Sequence, residues 1–197
     1  MQTFLSYISS LRADESIQPS SGYMPNKPLA GSSTACFYDL PPVIRALLIA
    51  DGTVTMAIEA VYKEPVNVIT QHQQFLSLSE PIPLLGLAAG EGVLYRNVIL
   101  KGAHSNKEYV EAHSILKQSS IDGELWQRLV NKEVGMGVVL RNFSKASYRE
   151  VLHFGVGDLN HSVEGSVHRS YRVTLAGESA ILITEVFNLD AFKDGYK

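Results

Sequence analysis

Cysteine is nearly absent from this chain of 197 residues: Cys36 stands alone. One thiol cannot close a disulfide within the chain and offers no multi-cysteine metal cage, so stability must come from a packed core. A lone cysteine also serves more often as a small buried apolar group than as a nucleophile. An excess of positive charge is missing as well. The 17 Lys and Arg stand against 20 Asp and Glu, for a net charge of -3, which gives nucleic acid or an anionic membrane no general attraction. No apolar run approaches the roughly 20 residues that span a bilayer. The start, Met-Gln-Thr-Phe-Leu-Ser-Tyr-Ile, lacks the basic and apolar regions of a secretory leader. The expectation is a soluble, cytoplasmic protein with no nucleic-acid partner and no membrane insertion.

Conventional chemical motifs are missing too. There is no P-loop, and Gly86, Gly90 and Gly92 do not join a strand to a helix as a dinucleotide fingerprint requires. The six histidines include no pair at the i, i+4 spacing of a helical zinc motif. Neither a metal nor a nucleotide is expected.

What the sequence does carry is pattern. Residues 1–40 are rich in Ser, Pro and Gly between 19 and 33, and read as an N-terminal arm or lid, partly irregular. Residues 41–197 read as the domain. Residues 43–49 suit a short helix that stops at Asp51-Gly52, and Thr53 can cap a second helix to residue 61. With a single basic residue, this hairpin is not a DNA reader. Alternating strands follow at 66–71, 93–100 and 109–116, and a helix at 121–130. Beyond Gly135-Met136-Gly137 and a short apolar run at 138–140 come strands at 146–154, 167–175 and 180–189. The last two are joined by a tight turn at Ala176-Gly177-Glu178. Glycine-containing turns and few long helices predict an α+β fold: one antiparallel sheet of about six strands flanked by helices.

Two charges break the pattern. In Val93-Leu94-Tyr95-Arg96-Asn97-Val98-Ile99-Leu100, alternation groups Arg96 with Leu94, Val98 and Leu100. In Ile181-Leu182-Ile183-Thr184-Glu185-Val186-Phe187-Asn188-Leu189 it groups Glu185 with Ile181, Ile183 and Phe187. A charge moved into an apolar core without a partner costs at least several kcal/mol. Either the two form a structural ion pair or each meets a ligand, and a guanidinium in a pocket suits a carboxylate. Weaker candidates are Lys101, Glu111, His113 and Arg172; alternation turns Arg172 away from Val173, toward solvent.

The segments Leu47-Leu48-Ile49-Ala50-Asp51-Gly52-Thr53-Val54-Thr55, Tyr95-Arg96-Asn97-Val98-Ile99-Leu100-Lys101-Gly102, Tyr171-Arg172-Val173 and Leu182-Ile183-Thr184-Glu185-Val186-Phe187 resemble the chorismate pyruvate-lyase family, in its actinobacterial and cyanobacterial branch. The resemblance runs from about residue 47 to 189 and leaves the first forty residues outside. It implies conversion of chorismate to 4-hydroxybenzoate and pyruvate without a cofactor, for quinone or phenolic compound biosynthesis, in a buried pocket covered by helical flaps. It also implies roles: Arg96 holds the ring carboxylate, Glu185 works near the para hydroxyl, and Val54 and Met136 contact the ligand through their backbone. Better-known members carry Met at the position of Val54 and Leu at that of Met136, differences a backbone contact survives. From the resemblance, Arg96 and Glu185 are expected at opposite ends of a bound ring, each satisfied mainly by the ligand. Effector-sensing domains of bacterial transcription regulators share the expected fold without catalysis. They normally follow a DNA-binding winged helix, for which the N-terminal stretch here is short and poor in basic charge.

Overall fold

The computed structural model describes residues 1–12, 29–31, 36–131, 147–157 and 165–193. Four helices, α1 (Gln2–Ser10), α2 (Pro42–Ile49), α3 (Val54–Tyr62) and α4 (Gly123–Val130), accompany six strands. These are β1 (Val66–Ser77), β2 (Gly92–Gly102), β3 (Glu108–Leu116), β4 (Ser147–Val156), β5 (Ser166–Leu175) and β6 (Glu178–Asn188). They form one sheet in the order β1-β2-β3-β6-β5-β4, with every neighbouring pair antiparallel. The expected α+β fold with a six-stranded antiparallel sheet is present. The turn between β5 and β6 places both Ala176 (φ 48) and Gly177 (φ 88) in the left-handed region, the backbone that lets a two-residue hairpin follow the strand twist.

Residues opposite one another in an antiparallel sheet share a face, so the register sorts the side chains into rows. On one face the rows are Leu94–Leu116–Ile181–Val173, Arg96–Ser114–Ile183–Tyr171, Val98–Ala112–Glu185–Arg169 and Leu100–Val110–Phe187–Val167. The two outer rows are apolar and covered. The α2–α3 hairpin lays Ile44, Leu47, Leu48, Val54 and Ile58 over the row of Leu100 and Phe187. Helix α4 lays Leu125, Trp126 and Leu129 over the row of Leu94 and Ile181. Burial of each large aliphatic side chain contributes about 1.5–3 kcal/mol, which pins both covers and leaves the two middle rows between them. Asp122 starts α4 by accepting from the Glu124 amide at 2.9 Å.

The opposite face is closed by α1. Phe4, Ile8 and Leu11 are buried against Tyr95, Ile115, Leu152 and Leu182. Within the stretch expected as an arm or lid, the first residues thus form a helix packed on the core, because Phe4, Ile8 and Leu11 recur at the spacing of one helix face. Two smaller expectations also change. Thr53 precedes α3 but its side chain makes no capping hydrogen bond, and β1 runs to Ser77, well past residue 71, across a bulge between Thr70 and His72. The apolar run at 138–140 lies outside the described residues.

Candidate active site

The middle rows of the hairpin-covered face gather the charges that alternation singles out. Arg96, in β2, is 2% exposed, and its Nη2 donates to Thr70 Oγ1 of β1 at 3.2 Å. Thr70 reaches it because it stands opposite Val98, on the face of Arg96, and the bulge after it turns His72 to the other face. Burial pulls the Arg96 pKa below its ordinary value, since a dry site penalises the charged form. A guanidinium nonetheless stays protonated. An anion entering this band would meet a fixed positive charge.

Glu185, in β6, is 7% exposed. Its Oε2 accepts from Arg169 Nε at 2.7 Å and its Oε1 from the Tyr171 hydroxyl at 3.0 Å. Here the structure departs from expectation: Glu185 is paired within the protein, and its partner is Arg169 of β5. Arg169 is 1% exposed. Its Nη1 donates toward the carbonyl oxygens of Leu47 (2.6 Å), Leu48 (3.1 Å) and Ala50 (2.7 Å) at the end of α2. Those carbonyls sit at the negative end of the helix dipole, where carbonyls run short of intrahelical donors, although Leu47 also accepts from the Ala50 amide at 3.4 Å. The Arg169 guanidinium carbon also lies 4.8 Å from the centre of the Tyr171 ring. Burial first, and the Glu185 charge second, push the Tyr171 phenol far above its usual pKa, so its hydroxyl stays a donor.

Arg96 and Glu185 lie two strands apart and one same-face step apart along the strands. With strands about 4.8 Å apart and a rise of about 3.4 Å per residue, their Cα atoms are about 12 Å apart. Val54 opens α3 and is buried in the apolar cluster under the hairpin; first positions of helices have backbone N–H groups free of intrahelical acceptors. Met136 lies outside the described residues.

The weaker candidates go elsewhere. Glu111 and His113 pair at 3.2 Å on the opposite face. There His113 belongs to a polar row with Asn97, Thr184 and Ser170. Arg172 is on that opposite face as well, but half-buried instead of solvated, bonded to Glu150 and to the Leu84 carbonyl. Lys101 pairs with Glu108 at 3.5 Å. Among the described residues no cluster of three His, Cys, Asp or Glu could hold a metal ion. An open pocket of about 360 Å³ lined by Phe75, Leu76, Val93 and Trp126 includes none of the charged residues of the middle rows.

Arg169 is the residue that sequence reasoning missed, although its signal was present. In Val167-His168-Arg169-Ser170-Tyr171-Arg172-Val173 the alternation that marks Arg96 also groups Arg169 with Val167, Tyr171 and Val173.

The six-stranded antiparallel sheet with helical covers defines a class of domain that includes PhnF from Mycobacterium smegmatis. Its crystal structure matches with a TM-score of 0.52 at 13% identity, over 73% of this chain and 66% of that one. The effector domain of PhnF alone matches with a TM-score of 0.50 at 13% identity, over 71% and 90%. Sequence narrows the class: residues 48–193 match the Rv2949c-like chorismate pyruvate-lyase family, and the chain belongs to that family. A chorismate pyruvate-lyase of Mycobacterium tuberculosis H37Rv is 28% identical over 163 residues, covering 77% of this chain and 82% of its own. One from Mycobacterium leprae is 26% identical over 160 residues, covering 77% and 76%. Among the described residues no helix is long and apolar enough to cross a membrane.

Proposed function

We propose that this protein is a chorismate pyruvate-lyase that releases 4-hydroxybenzoate for quinone or phenolic compound biosynthesis. The observation that carries the reading is the charged band of one sheet face, Arg96 at one end and Glu185 at the other, walled by apolar clusters in a chain of this family. Arg96 pairs with the ring carboxylate, and the backbone at Val54 and Met136 adds contacts to the ligand. Glu185 faces the ring carbon that bears the hydroxyl.

The chemistry asks little of the protein. The carbon–hydrogen bond at that carbon breaks, its electron pair entering the ring, while the neighbouring carbon–oxygen bond breaks and its pair leaves with the enolpyruvyl oxygen. The ring becomes aromatic, and the enolpyruvate takes up the proton to become pyruvate. Orientation in a dry pocket supplies most of the rate. The ion pair with Arg169 supports Glu185 as the proton acceptor. No cofactor takes part in this scheme.

Purified protein mixed with chorismate should release pyruvate and 4-hydroxybenzoate in equal amounts, measured by chromatography. Release no faster than in buffer would sink the reading. A second reading, a non-catalytic aromatic-acid sensor, is favoured by the likeness to the PhnF effector domain. Calorimetric binding of 4-hydroxybenzoate without turnover of chorismate would select it.

A further inference from the structure

We infer that Arg169 is the positioning residue of this site, coupling the Glu185 carboxylate to the α2–α3 hairpin that covers it. The inference rests on the proposed role of Glu185 but adds a residue and a linkage to it. One guanidinium bonds Glu185 through Nε and, through Nη1, the last carbonyls of α2. From Ala50 the chain needs only Asp51, Gly52 and Thr53 to reach Val54. The carboxylate at the floor and the backbone at the roof are thus fixed relative to each other by a single planar group.

Three features make this more than a buried ion pair. The side chain of Arg169 is almost wholly enclosed, so its charge is answered by protein groups instead of bulk water. Its fork divides its donors between two elements that share no hydrogen-bond ladder, and a lysine ammonium cannot match that geometry. Finally, Arg149 of β4 adds a bond to the Asp51 carbonyl, so the strands β4 and β5 together hold the hinge of the hairpin. The two carboxylate oxygens consequently differ. Oε2 accepts from the charged Arg169 guanidinium at 2.7 Å, whereas Oε1 accepts from the neutral Tyr171 hydroxyl at 3.0 Å.

A mutant cycle on the full chain tests this. In the parent background Arg169→Met should lower kcat on chorismate about 100-fold, with KM changing less than about 5-fold. In the Glu185→Gln background the same change should lower kcat by less than about 3-fold more, because Arg169 acts through that carboxylate. Losses that multiply, or a parent-like kcat in Arg169→Met, overturn the inference. If Arg169→Met fails to fold, Arg169→Lys replaces it in the same cycle, with an expected drop of at least about tenfold in the parent background and none in Glu185→Gln. Hydrogen exchange provides a reading independent of turnover. Amides of residues 50–58 should exchange at least about tenfold faster in Arg169→Lys than in the parent, and unchanged protection overturns the coupling. Should the parent not turn over chorismate, the lyase reading fails while the exchange arm still decides the role of Arg169.

Discussion

Arg96 and Glu185 should fail in different ways when altered, because one is proposed to hold the substrate and the other to react with it. Arg96→Ala removes a charge-assisted contact worth about 2–3 kcal/mol, so KM for chorismate should rise about 30- to 150-fold with a smaller change in kcat. Glu185→Gln keeps the shape of the side chain and removes the base, so kcat should fall about 10²- to 10⁴-fold. Steady-state pyruvate release measures both. Identical losses in KM and kcat for the two variants would contradict the division of roles.

Another carboxylate works away from the site. Glu64 is buried and accepts from the Ser105 hydroxyl, the Ser105 and His104 amides and the Tyr109 hydroxyl. These bonds, that of the Ser105 side chain foremost, hold its pKa at about 2 against an ordinary 4.5. A depressed carboxylate pKa stabilises the fold above the unfolded value and ceases to as pH falls toward the folded one. The thermal midpoint should therefore drop as pH is lowered from 4.5 toward 2, and Glu64→Gln should flatten that slope. An unchanged slope in the variant would assign the acid sensitivity to other groups.

At the residue scale much of the site was legible in the sequence and one part was overlooked. Alternation places Arg96 and Glu185 on the covered face, since a strand shows its facing in its own period. Their partners are another matter. A partner lies on a different strand, and pairing depends on strand order and register, which no local pattern encodes. That is why the ion pair of Glu185 with Arg169 emerges only from the folded chain, even though Arg169 carries the same inward signal.

Among the elements, the strands were the more readable. β2 and β6 stand where their alternating runs are, and the α2–α3 hairpin brackets Asp51-Gly52 as its turn residues suggest. α1 was obscured by the Ser, Pro and Gly that follow it, yet Phe4, Ile8 and Leu11 seal the face away from the charged band. Its position separates stability from activity. Ile8 is fully buried, so Ile8→Ala should cost about 2–5 kcal/mol through lost burial and a cavity. The thermal midpoint should fall, while kcat/KM measured well below it stays within about twofold of the parent. A large loss of activity at temperatures where the variant is folded would mean that α1 reaches the site after all.

Across the whole molecule, the strand order resolves into two meanders. β1, β2 and β3 form one, β4, β5 and β6 the other, and they meet where β3 pairs with β6. The proposed site straddles this seam. Arg96 comes from the first meander, whereas Glu185 and Arg169 come from the second. Neither half carries both ends of the proposed site, so the seam has to form before the site exists.

The seam also works as a caliper. Seven residue pairs, from Val110 with Phe187 to Leu116 with Ile181, lock β3 to β6, and a ladder of this kind moves only in whole notches. A slip of one residue would turn Glu185 to the wrong face, and a slip of two would shift it by about 7 Å. The gap between the two charges is therefore quantised. It cannot stretch by an ångström to admit a longer acid, so any tolerance for other ring acids has to come from side-chain rotamers or from the hairpin above.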